Sequence, residues 1–60
     1  MILPADDFIL LSVINTKLRD MYSSFEDLCE EEGVSAQEIC GRLNALGYKY
    51  TPEYNAFKRG

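Results

Sequence analysis

Between Asp7 and Asp20 the apolar residues recur at helical spacing. At about 100° per residue, Leu10, Leu11, Ile14, Leu18 and Met21 fall on one stripe, with Phe8 and Tyr22 at its borders. The pattern predicts a first helix over about Asp7 to Asp20. Asp6 or Asp7 is its expected N-cap, since either carboxylate suits the positive end of the helix dipole. Ile9 and Val13 project to nearly the opposite side, beside Thr16, Lys17 and Asp20. A helix apolar on two sides has two apolar neighbours. In a short chain the second is a second copy or the C-terminal segment folded back, and the pattern leaves both open.

Two more segments carry the same punctuation. Ser23-Ser24-Phe25-Glu26 opens one that Gly33 closes, and Ser35-Ala36-Gln37-Glu38 opens another that Gly47 closes. A Ser followed three residues later by Glu is the signature of reciprocal N-terminal capping. A Gly just past the last apolar position supplies the left-handed residue that ends a helix. The expected helices are about Ser24 to Glu32, burying Phe25, Leu28 and Cys29, and about Ala36 to Leu46, burying Ala36, Ile39, Cys40, Leu43 and Leu46. Only Val34 separates Gly33 from the next cap, so the pair turns sharply, as in a helix-turn-helix. Gly41 and Ala45 stand one turn apart on the outer side of the third helix, where small residues admit another backbone.

After Gly47 the period changes. Tyr48 and Tyr50 alternate with Lys49 as in a strand. Thr51-Pro52-Glu53 begins a turn, Asn55 suits its left-handed close, and Ala56-Phe57-Lys58 can return as a second strand. An isolated hairpin is marginal in water. The tail is therefore either a short β-hairpin packed on the helices or an extended segment lying across them. The expected fold is mainly α: one domain over residues 1–60, three helices in a helix-turn-helix-like arrangement, then this hairpin or tail.

Composition narrows the chemistry. The chain has 60 residues, a net charge of −4, two cysteines and no histidine. A domain this small buries only about 60% of its unfolded surface and gains from a second copy. Two thiols do not complete a four-ligand structural zinc site. Cys29 and Cys40 both fall on apolar faces, which suits buried thiols better than a disulfide. The start lacks the basic region of a signal peptide. The run Phe8 to Leu11, resuming at Val13-Ile14, is far short of the roughly 20 residues that span a bilayer. A cytoplasmic protein without membrane association is expected.

Several segments together resemble a family of short bacterial proteins defined by a domain of unknown function. They are Leu3-Pro4, Ile9-Leu10-Leu11-Ser12, Ile14-Asn15-Thr16-Lys17-Leu18-Arg19-Asp20, Tyr22-Ser23-Ser24, Leu28-Cys29, Gly47-Tyr48-Lys49-Tyr50 and Asn55-Ala56-Phe57. The resemblance covers nearly the whole chain, and the Asn-Thr-Lys-Leu-Arg-Asp string is its most specific part. Ala5-Asp6-Asp7 departs from it, where a proline near the start of the first helix is expected. The resemblance implies no activity and no catalytic motif.

Catalysis is not expected, and neither is a cofactor. There is no acid–base constellation, no phosphate-cradling glycine loop and no metal-ligand spacing. Two binding classes remain. The first is a protein-interaction module, self-associating or binding another protein, with Ile9, Val13, Gly41 and Ala45 as candidate contacts. The aromatic supply of the C-terminal segment, Tyr48, Tyr50, Tyr54 and Phe57, suits an interface as readily as a core edge. The second is a dimeric, winged-helix-like DNA-binding regulator, reading bases with Ser35, Gln37, Glu38 and Arg42 and touching phosphates with Lys49, Lys58 and Arg59. The negative charge and the acidic run Glu30-Glu31-Glu32 weigh against it, because phosphate neutralisation supplies most non-specific affinity. Lys17 and Arg19, beside Asn15 and Asp20, are expected either to be solvated or to pair with Glu30 or Glu31.

Overall fold

The computed structural model describes all 60 residues, Met1–Gly60. Three helices, α1 (Asp7–Asp20), α2 (Phe25–Glu32) and α3 (Ala36–Ala45), precede two strands, β1 (Tyr48–Thr51) and β2 (Ala56–Arg59). No helix is long and apolar enough to cross a membrane.

Each helix starts at a side-chain cap. Asp6 accepts the N–H groups of Phe8 and Ile9, Ser24 accepts that of Asp27, and Ser35 accepts that of Glu38. The α2 cap is thus Ser24 with Asp27 rather than Ser23 with Glu26. Only the Ser half of the expected reciprocal cap forms at α3. Gly33 ends α2 at φ 67°, and Gly47 follows α3 at φ 89°, both left-handed backbone that glycine adopts without strain.

Nine residues form the core: Leu10, Ile14, Leu18, Phe25, Leu28, Cys29, Ile39, Leu43 and Phe57. Five expected core positions differ. Met21 is 61% exposed. It is the C-cap of α1 at φ −123°, so the helical projection no longer applies to it. Ala36 is exposed, while Leu11, Cys40 and Leu46 are half-buried. Ala36 opens α3 at its solvent end, and Leu11 lies on the shoulder of α1. The two cysteines are free thiols. Burial pushes both thiols up, which makes them poor nucleophiles.

The C-terminal segment is a hairpin, not an extended tail. β1 and β2 pair antiparallel with Tyr48 opposite Arg59, Lys49 opposite Lys58, Tyr50 opposite Phe57 and Thr51 opposite Ala56. The turn closes through the Tyr54 N–H on the Thr51 carbonyl at 3.1 Å, with Asn55 left-handed at φ 48°. Tyr50 and Phe57 share the inner face. The Phe57 ring meets Phe25 edge-on at 5.0 Å between centroids and lies 5.6 Å from Tyr50. The hairpin therefore completes the core.

Candidate functional site

Two asparagines fix the hairpin against the helices. Asn15 of α1 treats Phe57 as a neighbouring strand would: its Nδ2 donates to the Phe57 carbonyl at 3.1 Å, and its Oδ1 accepts the Phe57 N–H at 2.7 Å. Asn55 in the turn donates to the carbonyls of Leu18 (3.0 Å) and Tyr22 (2.9 Å), which the end of α1 leaves free. Its Oδ1 accepts the Tyr50 hydroxyl at 2.7 Å, and Tyr50 Oη in turn accepts the Phe25 N–H at the start of α2. One turn residue thus ties together α1, α2 and β1.

This arrangement holds a groove of about 610 Å³ open between α1 and the hairpin. Phe8, Leu11 and Thr16 line one wall, and Tyr48, Tyr54 and Ala56 the other. Phe8 is 63% exposed and Tyr54 68% exposed. Lys58 sits over the Tyr54 ring, 5.2 Å from its centroid, and Arg19 stands at the groove with its charge paired to Asp20 at 2.9 Å. No carboxylate lines the groove.

A second depression, about 590 Å³, lies where α1 meets α2 and has the opposite character. Exposed Met21 stands there beside Asp27, Glu30 and Glu31. The third member of the acidic run behaves differently. Glu32 accepts the Tyr22 hydroxyl and the Lys17 ammonium, the latter at 3.1 Å. Lys17 therefore pairs with Glu32, not with Glu30 or Glu31, and Arg19 pairs with its chain neighbour Asp20. These contacts offset the unfavourable carboxylate at the C-terminus of α2.

The Tyr22 hydrogen bond, joined by the Lys17 contact, holds the Glu32 carboxyl below its usual range. The same hydrogen bond, with partial burial, pushes Tyr22 from 10.0 up to about 12. A raised tyrosine favours the folded state while it is protonated, because the unfolded chain ionises first. Its contribution is therefore complete below pH 10.0 and is lost as pH rises to about 12. Glu32 acts in the other direction: its contribution is complete above the ordinary glutamate range and is lost as pH falls through its lowered value. Denaturant midpoints of the wild type and Tyr22→Phe are expected to differ most near neutral pH and to converge through the alkaline window. A gap that persists above it would show that the phenol does not bond Glu32 in solution.

The residues marked from sequence are dispersed. Ile9 is 55% exposed and Val13 half-buried on α1, and Gly41 and Ala45 are exposed on α3. The hairpin packs on the Asn15 and Leu18 side of α1 and leaves Ile9 uncovered. A Cβ at Gly41 would meet nothing within 4 Å. Gly41→Ala is thus expected to raise stability by roughly 0.5–1 kcal/mol in thermal or urea melts. A loss of stability would show a close approach at that face.

Ser35 spends its hydroxyl on the α3 cap. Arg42 is also engaged: its Nε donates to Asp7 Oδ1 at 2.6 Å, and its Nη2 donates to the carbonyls of Pro4 and Ala5. Gln37 is exposed, and Lys49, Lys58 and Arg59 are exposed without ion pairs. The groove itself was not marked. Its sequence signals are aromatic: Phe8 at the border of the helical stripe, and Tyr48 and Tyr54 in the C-terminal segment.

A domain of unknown function, DUF4250, matches residues 4–57. The chain belongs to the DUF4250 family. No curated protein and no solved structure matches it. The family match spans α1 through the Phe57 position of β2, so it takes in both asparagine ties and every residue lining the groove except Lys58.

Proposed function

We propose that this DUF4250 chain is a non-catalytic protein-interaction module that associates with itself. The observation that carries the reading is the α1–hairpin groove, where Phe8 and Tyr54 stand about two-thirds exposed on walls that side-chain hydrogen bonds hold apart. Rings of this size are favoured at the centres of interfaces, where burying them removes apolar surface from water. Ile9, next to Phe8, extends the exposed apolar surface of α1.

Sedimentation velocity from micromolar to millimolar concentration tests it. A reversible, concentration-dependent increase in mass is expected, reduced by Phe8→Ser or Tyr54→Ser in variants whose circular dichroism is unchanged. A monomer throughout would overturn the reading.

The second reading, DNA binding by α3 and the hairpin, draws support from one observation: Lys49, Lys58 and Arg59 have no intramolecular carboxylate partner. Against it, the internal contacts of Arg42 leave α3 without a free cation. Three phosphate contacts per copy would give weak binding with a shallow salt dependence. Anisotropy of a labelled random duplex at low salt separates the two readings, with saturable micromolar binding favouring DNA.

A further inference from the structure

The two depressions of the surface are complementary to each other. The α1–hairpin groove has aromatic walls and its unpaired charge is positive; the α1–α2 corner has a protruding methionine and unpaired negative charges. We propose that the α1–hairpin groove of one copy receives the Met21 corner of a second copy. Met21 enters between Phe8 and Tyr54, and Asp27, Glu30 and Glu31 face Lys58 and Lys49. The proposal rests on the interaction-module reading and names its partner and both of its surfaces.

Three features support this occupant over an unrelated one. Met21 is 61% exposed beside an acidic helix, and a flexible thioether gains from aromatic contact. Lys49 and Lys58 lie directly opposite each other in the strand register, so their side chains share one face. Like charges in that position repel, and neither has a carboxylate partner within the chain. On the other side Asp27, Glu30 and Glu31 are exposed with no cation paired to them. Bringing the surfaces together relieves both repulsions and covers the apolar groups. The two surfaces differ, so the contact is made twice in a two-fold dimer or once in a head-to-tail ring or chain. Either assembly joins the same residues.

Charge reversal on the full-length chain decides the matter. One variant carries Glu30→Lys and Glu31→Lys, the other Lys49→Glu and Lys58→Glu. All four sites are exposed, and circular dichroism checks that each variant folds. In sedimentation velocity the wild type is expected to associate and to dissociate as salt rises. Each variant alone is expected to lose the associated species, and an equimolar mixture of the two to recover a mixed complex. Met21→Ser is expected to weaken association with all charges kept. If the wild type associates and both variants associate equally well, this pairing of surfaces is wrong and the interaction reading stands. Loss in both variants without recovery in the mixture also overturns the pairing. If the wild type is monomeric throughout, both fall together.

Discussion

Asn55→Ala is expected to lower the unfolding free energy by about 3–5 kcal/mol. Alanine leaves the Leu18 and Tyr22 carbonyls and the Tyr50 hydroxyl without their partner. Each abandoned group costs about 1–3 kcal/mol when buried, and the lower figure applies here because the site is only part-buried. Alanine must also hold φ 48°, a left-handed conformation that costs roughly 1–2 kcal/mol without the local hydrogen bonding that asparagine supplies. A chain of this length has about 3–9 kcal/mol in total, so much of the population would unfold at ambient temperature. Asn55→Gly separates the two causes: it tolerates the backbone but makes no side-chain bonds, and its midpoint in urea is expected between those of wild type and alanine. Asn55→Asp adds a sign test. A carboxylate would face two carbonyls at neutral pH, whereas the protonated acid can donate to one of them, so this variant should gain stability relative to wild type as pH falls. Equal midpoints for alanine and wild type would mean that the turn does not tie the helices together.

The local signals were legible and the long-range ones were not. Gly33, Ser35 and Gly47 act within one turn of chain, and with a Ser cap that shifts only from Ser23 to Ser24 they place the helix boundaries to within a residue. The strand alternation of Tyr48, Lys49 and Tyr50 was legible for the same reason. Whether that strand formed a hairpin was left open, because the answer lies in side chains far along the chain. Asn15 and Phe57 are 42 residues apart, and Asn55 and Leu18 are 37 apart. A polar residue on the shoulder of an apolar stripe reads as solvated until the strand that needs it is in place.

The same limit explains the particular misses. Continuing the helical projection one residue beyond the helix puts Met21 in the core, where its C-cap backbone does not take it. Lys17 is neither solvated nor paired with Glu30 or Glu31: the three glutamates differ only by rotation around α2, and Glu32 is the one that Tyr22 also reaches. Arg42 read as a free cation on an exposed face. Its partners, Asp7 and the carbonyls of Pro4 and Ala5, lie more than 30 residues away and carry no pattern that points to it. The groove is a product of these ties. Nothing in the sequence joins Phe8 to Tyr54, and they become a site only because Asn15 and Asn55 hold the walls on which they stand.

Phe57→Ala is expected to cost about 3–5 kcal/mol, the range for truncating a buried phenylalanine, and so to unfold most or all of the domain. Phe57 is 1% exposed and makes aromatic contacts with Phe25 of α2 and Tyr50 of β1. Edge-to-face and offset pairs of this kind add about 0.5–1.5 kcal/mol beyond the area they bury. The three helices supply only eight of the nine core residues, and α2 and α3 are too short to persist alone. Phe57→Leu keeps most of the volume and loses both ring contacts, so it is expected to cost about 1–3 kcal/mol, less than alanine, and to remain folded. Loss of helical circular dichroism in the alanine variant, with retention in the leucine variant, would show that the helices depend on the hairpin. A helical signal that survives Phe57→Ala would make the hairpin an appendage, and the α1–hairpin groove would then lack the rigid wall that its proposed role requires.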